Sequence, residues 1–143
     1  LAGAHAVVTG GGTGIGASIA RALAGAGARV SLLGRRREPI ERVAGEVGGA
    51  AFVADVTDRA AVDRAFEAAR AAHGPITILI NNAGRAMSAS FARVTADEWR
   101  ATMAANLDSL LHCCQAALPD LLAAQAGRIV TVASTAGRKG YAY

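Results

Sequence analysis

Residues Thr9 to Gly16 read Thr-Gly-Gly-Gly-Thr-Gly-Ile-Gly, directly behind the apolar run Ala4-His5-Ala6-Val7-Val8. A strand that breaks into glycines and then runs into a helix can seat a phosphate. The glycines bring the backbone close to a pyrophosphate, and the helix N-terminus offers free N–H groups and partial positive charge. Gly10, Gly12, Thr13, Gly14, Ile15 and Gly16 are therefore the first candidates for binding a dinucleotide. A tight Gly-rich turn with no ligand is the plainer alternative, and the other strand ends bear on the choice.

A dinucleotide fold commonly carries an acidic residue about 20 residues past the glycines, where it binds the ribose hydroxyls. Here the second strand ends in Gly34-Arg35-Arg36-Arg37, with no carboxylate at its tip. A carboxylate repels a 2′-phosphate, whereas a guanidinium grips one with charge-assisted paired hydrogen bonds. NADP(H) is the expected cofactor, with NAD(H) also admitted. Arg35 is the leading phosphate ligand and Arg36 its neighbour; three arginines forming a solvated helix entry is the alternative. Asp55 and Val56 follow the third strand, where the carboxylate can accept a hydrogen bond from the adenine amino group or merely sit in a helix N-terminal turn. Asn81-Asn82-Ala83-Gly84 ends the fourth strand. Its small residues let the backbone pass close to a ligand, and Asn82, Ala83 and Gly84 join the candidate set.

These tips need strands and helices behind them, and the two patterns alternate along the chain. Strands are expected at 4–9, 29–33, 50–54, 76–80 and 128–133. The first helix carries Ile15, Ile19 and Leu23 at four-residue spacing, and the next presents Ile40, Val43, Ala44 and Val47. A third carries Val62, Phe66 and Ala69. Thr95 and Glu98 have capping-box spacing ahead of a long helix running to about Ala126. Its stripe of Trp99, Met103, Asn106 and Leu110 makes Asn106 a buried amide in need of partners. The alternation argues for an α/β fold of Rossmann type, a doubly wound parallel sheet with helices on both faces, as one domain over 1–143.

Composition narrows the function classes. The 143 residues carry a formal charge of +4, which invites a nucleic-acid reading, but aromatics are only 4% and the arginines are scattered singly along helices. Nucleic acid is therefore not an expected partner. No apolar run reaches membrane-spanning length, and no metal-ligand spacing occurs. Cys113 and Cys114 are adjacent in a helix, where they cannot easily bond to each other, so reduced thiols and a cytoplasmic location are expected.

The chain resembles the short-chain dehydrogenase/reductases, in the branch with Thr9, Gly10, Gly14 and Gly16 in Thr-Gly-x-x-x-Gly-x-Gly spacing. Asp55-Val56, Asn81-Asn82-Ala83-Gly84, Asn106-Leu107 and Gly127 to Ser134 carry the likeness across nearly the whole length. The resemblance implies hydride transfer between a nicotinamide and a ketone or secondary alcohol, a 3-oxoacyl thioester among the candidates. It implies that Ser134 binds the substrate oxygen and that Asn106 supports a proton-relay water. A turn residue and a structural amide are their respective alternatives. The family's tyrosine, with a lysine four residues on, should come about a dozen residues after Ser134; Tyr141 and Tyr143 are too close to it and do not fit the motif. The chain is thus expected to be the N-terminal part of a longer subunit that forms a homo-oligomer, a dimer or tetramer, through the long helix. A nucleotide-binding regulator or inactive homologue is the alternative function.

Overall fold

The structure, a computed structural model, describes residues 1–140. Tyr141 and Tyr143 lie outside the described residues. Five strands form one sheet: β1 (His5–Thr9), β2 (Arg29–Gly34), β3 (Ala50–Val53), β4 (Ile78–Asn81) and β5 (Arg128–Thr131). Their order is β3-β2-β1-β4-β5 and every pairing is parallel. The order reverses between β1 and β4, so the chain leaves these two neighbours toward opposite faces and opens a crevice at their carboxyl ends.

The strand residues form these layers because both faces are apolar. Val7, Leu33 and Leu79 pack with Phe66 of α3 (Arg59–His73) and with Cys113 and Ala117 of α5 (Ser109–Ala123). The intervening Ala6, Val8, Val30, Leu32, Ile78 and Ile80 face α1 (Gly14–Gly25) and α2 (Arg37–Val47). A strand covered on both sides reads as a continuous apolar run, which is why β1 is buried at all five positions. The Cys113 thiol is buried in this core, and desolvation pushes its pKa up to about 12. Both cysteines are free.

Two helical expectations differ from what is observed. Ile15 is 63% exposed, and α1 instead buries Gly16, Ala17 and Ala20, with Ile19 and Leu23 only half-buried. Small residues line its inner face, and Ile19 and Leu23 pack against the core from the edge of that face. The long helix is also not continuous. It comprises α4 (Ala96–Met103), a π-helical turn over Ala104–Asp108, and α5. The Thr95–Glu98 capping box forms as expected, with each side chain bonded to the other's backbone N–H. The wider π turn shifts the helical phase, and the expected buried stripe is lost: Trp99 is 58% exposed and Asn106 lies at the surface.

At the opposite end of the sheet, His5 is wholly buried within β1. Its Nδ1 lies 2.8 Å from the Gly74 carbonyl, so Nδ1 carries the hydrogen and Nε2 accepts from the Ser31 hydroxyl at 2.8 Å. The His73 ring stands edge-on at 5.3 Å. Desolvation lowers the His5 pKa from 6.5, with the Gly74 carbonyl partly opposing and His73 and Arg29 adding to the drop. The folded state therefore binds this proton more weakly than the unfolded chain does, and stability falls as pH drops through and below 6.5. Thermal unfolding followed by circular dichroism should show a lower midpoint at about pH 5.5 than at about pH 7.5. His5→Gln should lower the midpoint at neutral pH by about 2–8 °C and flatten that dependence. An unchanged pH slope in the variant would remove His5 from the account.

Candidate functional site

Thr9 ends β1, and its hydroxyl joins the two loops that leave the switch point. Oγ1 accepts the backbone N–H groups of Asn82 and Ala83, each at 3.0 Å, and donates to the Ile80 carbonyl at 3.3 Å. Asn82 reaches back the other way, its Nδ2 donating to the carbonyls of Thr9 at 2.9 Å and Gly10 at 3.3 Å. Gly10 turns the chain with φ +64°, a left-handed conformation that favours glycine. A Cβ on Gly16 would strike the Gly10 carbonyl oxygen and lie 2.5 Å from Asn82 Nδ2. The start of α1 is thus locked against the turn after β4.

Between these loops and the tips of β2 and β3 lies an open cleft of about 800 Å³. Gly10, Thr13, Arg35, Arg36, Asp55, Val56, Asn82, Ala83 and Gly84 line it, so most of the candidate binding residues converge on one space. A smaller adjoining pocket of about 340 Å³ adds Gly12, with Pro39 and Ile40, to Arg35 and Arg36. Gly14, Ile15 and Gly16 line neither. Arg37 belongs to α2 and pairs with Glu41 at 2.9 Å, whereas Arg35 and Arg36 face the cavities. At its N-terminus α1 has neither a side-chain cap nor an acid in its first turn. An uncapped, twelve-residue helix with two arginines nearby suits an anion.

The Asp55 carboxylate is held by its own turn. Oδ1 accepts the Thr57 N–H at 2.9 Å and the Thr57 hydroxyl at 2.8 Å, while Oδ2 lies 4.0 Å from Arg35 Nη1. Desolvation pushes its pKa up, but the two Thr57 bonds and the Arg35 charge outweigh this and hold it below the ordinary carboxylate value. Asp58, and not Asp55, caps α3 by accepting from Ala60 and Ala61. The next residue along, Val56, offers its carbonyl to His112 Nδ1 of α5 at 3.0 Å.

Asn106 lies in the π turn. Its Oδ1 accepts from the Arg85 N–H and its Nδ2 donates to the Arg85 carbonyl, both at 2.9 Å. The amide thereby satisfies both backbone groups of a loop residue that lines the cleft. Ser134 follows β5 at the carboxyl edge of the sheet, is exposed, and accepts from the Ala136 N–H at 3.1 Å. Neither Asn106 nor Ser134 lines the cavities themselves. Thr57, Arg85 and the Ala101, Ala104 and Ala105 wall were absent from the sequence-based set. Thr57 had a signal, a hydroxyl two residues past a strand-end acid; the alanines had none.

The family model described as short chain dehydrogenase matches residues 4–143. The chain belongs to the short-chain dehydrogenase family. It is 36% identical over 135 residues to an uncharacterized oxidoreductase of Staphylococcus aureus (strain USA300), covering 92% of this chain and 58% of that protein. It is 40% identical over 141 residues to a D-threitol dehydrogenase of Mycolicibacterium smegmatis, covering 95% and 54%. Among solved structures, a variant of actinorhodin polyketide ketoreductase with NADPH matches at a TM-score of 0.92 and 30% identity, over 96% of this chain and 56% of that one. The chain thus spans little more than half the length of these relatives. The doubly wound, Rossmann-type parallel sheet is that of the family. Among the described residues, no helix is long and apolar enough to cross a membrane, and no three His, Cys, Asp or Glu side chains are grouped to hold a metal.

The Thr9 joint is open to direct test. Thr9→Val keeps the shape of the side chain but leaves two N–H groups without their acceptor. It should lower the unfolding free energy in urea by about 1–3 kcal/mol. Thr9→Ser keeps the hydroxyl and should retain the joint. A loss in Thr9→Ser with none in Thr9→Val would place Thr9's importance in its methyl group instead.

Proposed function

We propose that the protein is an NADP(H)-preferring oxidoreductase that interconverts a ketone and a secondary alcohol, a 3-oxoacyl thioester among the candidates. The observation that carries the cofactor reading is the pairing of Arg35 and Arg36 on the cavities with a β2 tip, Gly34, that has no carboxylate. The uncapped start of α1 would hold the pyrophosphate, and Asp55 would accept from the adenine amino group. When bound, the nicotinamide supplies or takes up a hydride. Ser134, at the carboxyl edge, would donate to the substrate oxygen. Asn106 would support the proton-relay water by holding the Arg85 segment and the π turn in place, since both ends of its amide are already bonded. The D-threitol dehydrogenase and the NADPH-containing ketoreductase among the similar proteins support this reading. A nucleotide-binding regulator is the second reading, and finding no Tyr-x-x-x-Lys in the gene shortly past residue 143 would favour it.

The same proposal includes a soluble, cytoplasmic homo-oligomer. Leu107, Leu111, Leu118 and Leu122 are all exposed along the π turn and α5, and an apolar stripe beyond the buried face of a helix fits a second packing partner. Sedimentation should find a dimer or tetramer, and a monomer at micromolar concentration would count against it.

Binding and turnover are tested on the full-length protein. Arg35→Ala should weaken NADPH binding about 10- to 100-fold, the worth of a charged hydrogen bond, and leave NADH binding nearly unchanged. Equal losses for both cofactors would reduce Arg35 to a structural role, and a native preference for NADH would overturn the assignment. Ser134→Ala should lower turnover about 10²- to 10³-fold with cofactor affinity unchanged, as for loss of an oxyanion donor. Undiminished turnover would leave Ser134 as a turn residue.

A further inference from the structure

Arg35 and Asp55 are the residues just past the last rung between β2 and β3. The ladder pairs Gly34 with Val53 and ends with the Ala54 N–H donating to the Gly34 carbonyl at 3.1 Å. The next side chains therefore meet across the cleft mouth, with Arg35 Nη1 4.0 Å from Asp55 Oδ2. The two partners are unequally held. Asp55 Oδ1 is tied twice to Thr57, and Oδ2 is turned toward Arg35. The Arg35 side chain is 77% exposed, and Asp55 is its one ion-pair partner among the described residues.

We infer that Asp55 is a positioning residue for cofactor selectivity: anchored by Thr57, it aims the Arg35 guanidinium at the 2′-phosphate of NADP(H). This rests on the proposed cofactor reading and adds to Asp55 a role separate from any bond to adenine. A guanidinium has five N–H donors in a rigid fork, so the ion pair at 4.0 Å can draw the Nη1 end toward Asp55 while the remaining donors face a phosphate. An exposed arginine otherwise loses rotamer freedom when it binds, and a fixed neighbour reduces that loss in advance. The carboxylate also repels the phosphate. That repulsion is reduced because the two Thr57 donors stabilise the charge on Oδ1 and the guanidinium stands beside Oδ2. Exposed ion pairs change an equilibrium by about two- to fivefold, which sets the size of the effect.

The test is a double-mutant cycle on the full-length protein, with dissociation constants for NADPH and NADH measured by calorimetry. Asp55→Asn should weaken NADPH about two- to fivefold more than it weakens NADH, and that excess should vanish in the Arg35→Ala background. Thr57→Val, which removes one tether and no charge, should shift the NADPH/NADH ratio in the same direction by less. It carries the test alone if Asp55→Asn fails to fold. Equal losses for both cofactors in both backgrounds would show Asp55 acting on adenine or on the fold, and would overturn the inference. Tighter NADPH binding by Asp55→Asn would overturn it too, by showing net repulsion. A preference for NADH in the unsubstituted protein would instead sink the cofactor reading itself, before any variant is made.

Discussion

The Thr9 hydroxyl takes two N–H groups from the turn after β4, and the Asn82 amide returns to the carbonyls of Thr9, at the end of β1, and of Gly10 beyond it. A parallel sheet needs such a joint at its switch point. The ladder stops there, the two loops diverge to opposite faces, and the backbone groups they expose have no further strand to pair with. Reciprocal side-chain bonds satisfy those groups and keep the crevice from closing. They also constrain the start of the first helix: with Asn82 Nδ2 and the Gly10 carbonyl packed against position 16, α1 can begin where it does only with a glycine there. The direction of the helix N-terminus, and hence the place an anion would occupy, depends on a hydroxyl at the end of an otherwise apolar run.

How much of this was legible in the residues depends on the range of the interaction involved. The parallel sheet and the convergence of the Gly10, Asp55 and Asn82 segments follow from local alternation and spacing, because every βαβ unit returns its strand ends to the same edge. Ile15 misled for a tertiary reason. Its spacing from Ile19 and Leu23 is helical, but the fully buried face falls on Gly16, Ala17 and Ala20, with Ile19 and Leu23 at its edge and Ile15 outside it. Periodicity reports which residues are apolar, and the distance between layers decides which of them go inside.

Asn106 shows a second limit. An α-helical stripe through Trp99, Met103 and Leu110 would bury it, but one wide turn re-aims that stretch and puts the amide at the surface against Arg85. A π turn closes a hydrogen bond one residue later than its neighbours and has no side-chain signature of its own. The position was recognisable as chemically unusual, an amide on an apolar stripe, while its environment was not. The amide acts as a short piece of backbone: using one donor and its acceptor, it extends a loop residue's hydrogen bonding in the manner of a strand rung.

At the β2 tip, charge and packing are decided by the same atoms. A Cβ on Gly34 would lie 2.9 Å from Ile40 Cγ2, and one on Gly12 would lie 3.0 Å from that same methyl and from the Ile40 backbone N. Ile40 is 2% exposed and fills the space between the glycine loop and β2 beneath α2. The absence of a carboxylate at position 34 is therefore not only an electrostatic choice. A side chain there must displace a β-branched residue from a close-packed site, where even one methylene is felt. An aspartate at position 34 would require the Ile40 side chain to shift, and a leucine at position 40, which lacks the Cβ branch, would relieve that contact. On the proposed reading, the arginines act on a pocket whose alternative ligand group, a carboxylate at position 34, is also disfavoured by the contact with Ile40.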